Sequence, residues 1–172
     1  SSDLSDLTVA HIGTIAYQPQ YLIEWKVGDT LNYDLSISIM GKMGTSTRTV
    51  TKDEGNTLWI SETMSLSGRQ EVVEAQIDKN TCEVLKMIRN GKSETIPNDP
   101  LEIISQDYTN ITVPAGTFDC LHIVAKSKSI KNIEVWANPQ AIVMDGSVKT
   151  VVTANQLPLP ITMVLTSFTH GQ

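Results

Sequence analysis

From Leu31 to Met40 the chain alternates, and this run constrains its fold more than any other feature. Leu31, Tyr33, Leu35, Ile37 and Ile39 take every second position, with Asn32, Asp34, Ser36 and Ser38 between them. Successive side chains of a strand point to opposite faces, so period two predicts a strand with one buried face. On a helix the same residues would scatter around the axis.

Further runs repeat the pattern between turn signals. The chain turns at Gly28-Asp29, at Gly41 to Gly44, at Asp53-Glu54-Gly55-Asn56, at Gly68-Arg69, at Asp78-Lys79-Asn80 and at the hairpin-type Asn90-Gly91. These punctuate strands at 45–51, 57–66, 71–78 and 82–89. The stretch from Pro97 to Pro100 opens a longer loop, and Leu101 to Tyr108 reads equally as strand or as a short helix. After a turn at Val113 to Thr117, strands are expected at 118–125, 130–137 and 141–152, with Ile161 to Phe168 last, after a rigid Pro158-Leu159-Pro160 approach.

Nine or ten antiparallel strands cannot lie flat with a wet underside; they must curl, close or face another layer. The expected fold is mainly β: a highly curved antiparallel sheet or partly open β-barrel over residues 28–172, as one domain. Residues 1–27 form an N-terminal arm or tether. It has a possible short helix over Ser5 to Ala16, where Leu4, Leu7, Ala10 and Ile15 loosely mark one face and Gly13 interrupts. Pro19 favours an extended approach to Tyr21-Leu22-Ile23.

Several segments together resemble a bacterial family. Val27-Gly28-Asp29 followed by Tyr33, the acidic turn Ile77-Asp78-Lys79, and the run Val113-Pro114-Ala115-Gly116-Thr117-Phe118-Asp119-Cys120 belong to the likeness. So do Glu134-Val135-Trp136 and Gly146-Ser147-Val148-Lys149. Over residues 27–169 the chain resembles exported, largely uncharacterised envelope proteins related in fold to the lipoprotein carriers LolA and LolB. The resemblance implies a periplasmic or outer-membrane-associated location, lipid-anchored in some members, and an unclosed barrel with helical material across its concave side. It implies no catalytic residue.

In an oxidising envelope compartment the two cysteines become candidates for a disulfide. Cys82 and Cys120 each follow a turn near the start of an expected strand, so a Cys82–Cys120 bond is expected, worth roughly 4 kcal/mol by loop entropy. Two free core thiols are the alternative.

Chemistry is otherwise sparse. His11, His122 and His170 lack the spacing of a metal site, and no cofactor is expected. Ser65-Leu66-Ser67-Gly68 is not a nucleophile elbow, and His122 alternates with Phe118, Cys120 and Val124 as a sheet residue would. No Gly-rich phosphate loop precedes a helix. A net charge of -6 argues against nucleic acid, and no apolar run reaches the roughly 20 residues of a membrane-spanning helix.

What remains is a non-enzymatic protein that binds or carries an apolar ligand, such as lipid or a lipidated partner, in the hollow of the sheet. Leu35, Ile37, Trp59, Ile77, Phe118 and Trp136 are its candidate contacts. The competing expectation is a structural or protein-interaction component of an envelope complex.

Overall fold

The computed structural model describes residues 3–17, 24–155 and 159–172. The extended approach expected at Tyr21 to Ile23 and the proline at 158 lie outside the described residues. A helix, α1 (Asp3–Gly13), and a 3-10 turn (Thr14–Tyr17) precede eleven strands. These are β1 (Thr30–Ile37), β2 (Lys42–Asp53), β3 (Thr57–Leu66), β4 (Arg69–Asp78), β5 (Val84–Arg89), β6 (Lys92–Glu94), β7 (Glu102–Val113), β8 (Gly116–Lys126), β9 (Ile130–Ala137), β10 (Ser147–Ala154) and β11 (Ile161–Thr169). No described helix is long and apolar enough to cross a membrane.

The strands form one antiparallel sheet in the order β6-β5-β4-β3-β2-β1-β11-β10-β9-β8-β7, not closed into a barrel. Every neighbouring pair is consecutive in sequence except β1 and β11, where the first and last strands join two meanders into one sheet. Alternation sets the buried face throughout. Leu31, Tyr33 and Leu35 face inward from β1, Leu58, Ile60 and Met64 from β3, Val73, Ala75 and Ile77 from β4, and Ile161, Met163 and Leu165 from β11. The sheet curls around this core. Near its far end, the β7–β8 turn docks back on β11, with Ala115 N–H donating to the Leu165 carbonyl at 3.1 Å.

Helix α1 packs against β3 and β4. Its buried positions are Leu7, Thr8, His11 and Ile12, continued by Ile15 in the following turn, a stripe one helical face wide. The stripe differs from the expected one because two of its members are polar. Leu7, Ile12 and Ile15 join the same hydrophobic cluster as the strands.

Three sequence expectations are corrected by local geometry. The first strand ends at Ile37; Ser38–Met40 form a 3-10 turn that leaves Ile39 97% exposed. The segment 141–146 is not strand. Asn138 Oδ1 accepts from the Gln140 and Ala141 amides, Gly146 N–H donates to Val143, and Met144 and Gly146 take positive φ, making a compact turn before β10. The Cys82–Cys120 disulfide is absent and both thiols are free and buried. Cys82 sits in the β4–β5 turn and Cys120 in β8, so β4, β3, β2, β1, β11, β10 and β9 intervene in the sheet, and no hairpin brings them together. Burial pushes both thiols up, Cys120 to about 11.

Tyr33 ties the two meanders through their core. Its hydroxyl donates to the Ser147 carbonyl at 2.7 Å, linking β1 to the start of β10. Replacing Tyr33 by Phe keeps the ring and strands that carbonyl, so the variant should unfold about 1–3 kcal/mol more easily, read as a lowered urea midpoint at unchanged slope.

Candidate functional site

The sheet interior holds two features, a fixed polar knot and an apolar hollow beside it. Arg48 on β2 and Glu62 on β3 face each other across the ladder, both fully buried. Arg48 Nε donates to Glu62 Oε1 at 2.8 Å, and its Nη1 donates to Asp145 Oδ2 at 3.1 Å. Nη2 donates to the main-chain carbonyl of His11 at 2.9 Å. The His11 ring lies on the Glu62 carboxylate, Nδ1 being 2.9 and 3.0 Å from its two oxygens, and meets Tyr33 edge to face at 5.3 Å. One arginine thus fastens α1, β2, β3 and the 138–146 turn together.

The electrostatics follow from burial and proximity. Burial alone would raise the Glu62 carboxyl, but the Arg48 charge, then His11, hold it below the usual carboxylate range. Burial would lower Arg48, and Glu62 and Asp145 more than reverse that, so the guanidinium stays charged. Tyr33 is pushed up by burial and then by Asp145, which keeps its hydroxyl protonated as a donor. Among the described residues, His11 Nε2 and Asp145 Oδ1 are buried without a hydrogen-bond partner.

Beside this knot lies a cavity of about 1060 Å³. Leu7, Val9, Ala10 and Gly13 of α1 form one wall, and Val84 and Met87 of β5 form another. Val152, Ala154 and Ile161 of β10 and β11 line the opposite side, and residues 96–101 cover it. Strands β5 and β10 are far apart in the sheet order, so they meet across one hollow only because the sheet curls.

Part of the lining is polar and braced. Asp99 accepts from Ser127 Oγ at 2.8 Å, Lys128 N–H at 2.8 Å, Ser129 N–H at 3.2 Å and the Ser129 hydroxyl. Against the effect of its slight burial, those donors hold the Asp99 carboxyl below its ordinary range. They also lock the covering segment to the β8–β9 turn, which Asn155 grips from the other side through Lys128 and Ser129 carbonyls. Lys128, Ser129 and Asn155 therefore place polar groups in a mainly apolar lining.

The six contacts expected from the sequence lie elsewhere; none of them lines this cavity. Leu35 and Ile77 are core residues with no exposed surface, and Ile37 and Phe118 are partly buried against the core. Trp59 is on the face opposite Leu58 and Ile60, where its Nε1 donates to Glu54 at 2.7 Å. Trp136 stacks on His122 with ring centres 4.4 Å apart, and Lys149 Nζ lies 5.1 Å from its centroid. His122 itself is held between Asp107 at 2.7 Å and Glu134 at 3.1 Å, a sheet-face arrangement with both nitrogens occupied. No group of three metal-ligating side chains converges among the described residues. The polar knot was missed by sequence reasoning, although Arg48 between Ser46 and Val50, and Glu62 between Ile60 and Met64, stand at inward positions of their strands.

Replacing Arg48 by Met strands two buried carboxylates. The variant should lose about 3–5 kcal/mol in urea unfolding, a large share of a small domain's stability. Glu62 gives the pH dependence. Its folded value lies below the unfolded 4.5, so its stabilisation is complete above that pH and is lost as pH falls through the folded value. Acid titration of the unfolding free energy should therefore fall steeply below about pH 4.5 and flatten in Glu62→Gln.

No family profile matches the sequence, and no curated protein is similar to it in sequence. Solved structures are similar in fold. A Bacteroides fragilis protein described as exported, with a YmcC-like fold, aligns with TM-score 0.52 and 10% identity, covering 88% of this chain and 100% of its own. A hypothetical protein of Chlamydia trachomatis aligns with TM-score 0.52 and 10% identity over 86% of this chain and 89% of its own. A domain from Vibrio parahaemolyticus described as an outer membrane lipoprotein-sorting protein is a looser likeness, with TM-score 0.35 and 9% identity over 96% of this chain and 92% of its own. The chain thus has the open, curled sheet of the YmcC-like exported protein, the fold expected from the envelope-protein resemblance.

Proposed function

We propose that this protein is a non-enzymatic binder or carrier of an apolar ligand, a lipid or the acyl chain of a lipidated partner, in a bacterial envelope. The observation that supports it most is the cavity between α1 and the curled sheet, about 1060 Å³ with aliphatic walls and a polar patch in its lining. That size is at the upper end for small-molecule sites and suits a long flexible chain better than a compact metabolite. An acyl chain would displace water from Leu7, Val84, Met87, Val152 and Ile161, gaining roughly 25 cal/mol for each Å² of apolar surface covered. Its polar head would stay at the rim near Lys128, Ser129 and Asn155. Likeness in fold to a protein described as exported agrees with an envelope location. The alternative, a protein-interaction component, draws on a different part of the sheet, the exposed edge strand β7.

Native mass spectrometry of the purified protein should show a copurified lipid, or uptake of a fluorescent fatty acid added to it. Ala10→Trp fills the cavity from the helix wall and should reduce uptake at least about tenfold. Thr117→Ala, exposed on β8, should leave it unchanged. Failure of the unsubstituted protein to retain or take up any lipid would sink this reading.

A further inference from the structure

The two edges of the sheet are built differently. One is β6, only 3 residues long and containing Lys92. The other is β7, 12 residues long, last in the strand order and paired only with β8. Along a strand with one neighbour, alternate N–H and C=O groups point outward unpaired. Soluble proteins usually blunt such an edge with lysines, prolines or brevity. Here β7 has none of these three; Glu102, Asp107 and a register shift at Ile104 are its interruptions, and it exposes apolar side chains: Ile103 is 40%, Ile104 56% and Tyr108 85% exposed.

The charge around this edge is one-sided. Between Lys92 and Lys126 the sequence contains no lysine or arginine, and β7 and β8 carry Glu102, Asp107 and Asp119 against a single lysine, Lys126, the cross-strand neighbour of Glu102. Asp107 is matched by His122, and Glu102 and Asp119 form no ion pair among the described residues. A second copy pairing edge to edge would bring three acids of each hairpin together with one lysine of each to offset them. A strand carrying lysine or arginine would be attracted instead.

We infer that β7 is an acceptor edge for an extended, lysine- or arginine-bearing segment of another protein, which adds to the sheet as a further strand. Main-chain hydrogen bonds to β7 supply the attachment, and apolar side chains of the incoming strand lie against Ile104 and Tyr108. The acids of the hairpin select a basic partner. Leu101 ends the stretch that lines the cavity, but none of residues 102–113 lines it, so this inference holds or falls independently of the carrier reading.

The test uses the whole chain and three blocked peptides of roughly ten residues, about two turns of alternation longer than a minimal strand. One alternates lysine with valine, the second glutamate with valine, and the third is the lysine peptide with prolines replacing alternate valines. The lysine–valine peptide should bind, measured by titration calorimetry at fixed salt, and should slow amide hydrogen exchange within β7. The glutamate and proline peptides should bind at least about tenfold more weakly. The double variant Ile104→Lys, Tyr108→Lys should lose the lysine peptide by a similar factor; Tyr108→Lys alone serves if the double variant does not keep its circular dichroism spectrum. Equal binding of the proline peptide would reduce the effect to charge attraction and overturn strand addition. So would no binding, protection outside β7, or a peptide-free dimer that already protects β7.

Discussion

A guanidinium buried between two carboxylates is an expensive thing to fold around, and the interior of this protein is organised to make it tolerable. Arg48 uses Nε, Nη1 and Nη2 on three different pieces of chain: Glu62 of β3, Asp145 of the 138–146 turn and the His11 carbonyl of α1. Removing a charge from water costs several kcal/mol, recovered only when geometry and partners are good. The Arg48 guanidinium meets the carboxylates of both Glu62 and Asp145, and the His11 ring lies on the Glu62 carboxylate. An apolar core of the same volume would hold the sheet as well. It would not dictate where along the sheet the helix and the turn must sit, and we take that positional role to be what the network contributes here.

The hollow is a consequence of that placement. Along β1 the knot lies beside Tyr33, toward the end where Leu31 pairs with Arg48. The cavity instead opens toward the other end, where Ile161 pairs with both Ile37 and Val152. The 138–146 turn buries Ile142, Val143 and Met144, and none of these lines the hollow. A curled sheet with a helix laid across it would collapse around the helix if the helix could slide. Pinned by His11, α1 stands as a wall, and apolar surface on its flank stays available.

How much of this could be read from the residues follows from where each polar group sits. The strands were legible because alternation and turn residues agree, as at Leu31 to Ile37 and at Asn90-Gly91. The buried helix face was hidden because Thr8 and His11 belong to it, and an apolar-stripe search skips polar members. Asp145 was hidden in an apparent strand, since Ile142, Met144 and their neighbours alternate plausibly; only the positive φ of Met144 and Gly146 folds them into a turn. The cavity lining is hard to read from the residues for a different reason. Leu35, Ile37, Trp59, Ile77, Phe118 and Trp136 lie in the packed core, against it or on the outer face, while smaller residues such as Ala10, Gly13 and Ala154 line the hollow.

The cysteines carry the same lesson one step further. Turn chemistry predicts which strands are neighbours in sequence, and here every such prediction of a local pair is a true ladder. Long-range closure is another matter: only the β1–β11 pairing joins the two meanders, and no short motif announces it. Because β1 and β11 meet at the centre, the strands at 82–89 and 116–126 are carried toward opposite ends of the sheet rather than side by side. The same topological choice that separates Cys82 from Cys120 leaves β7 as a terminal strand. Free thiols and a terminal β7 edge are thus two results of one arrangement, an open sheet braced by α1 on β3 and β4 and by the β7–β8 turn on β11 rather than by covalent closure.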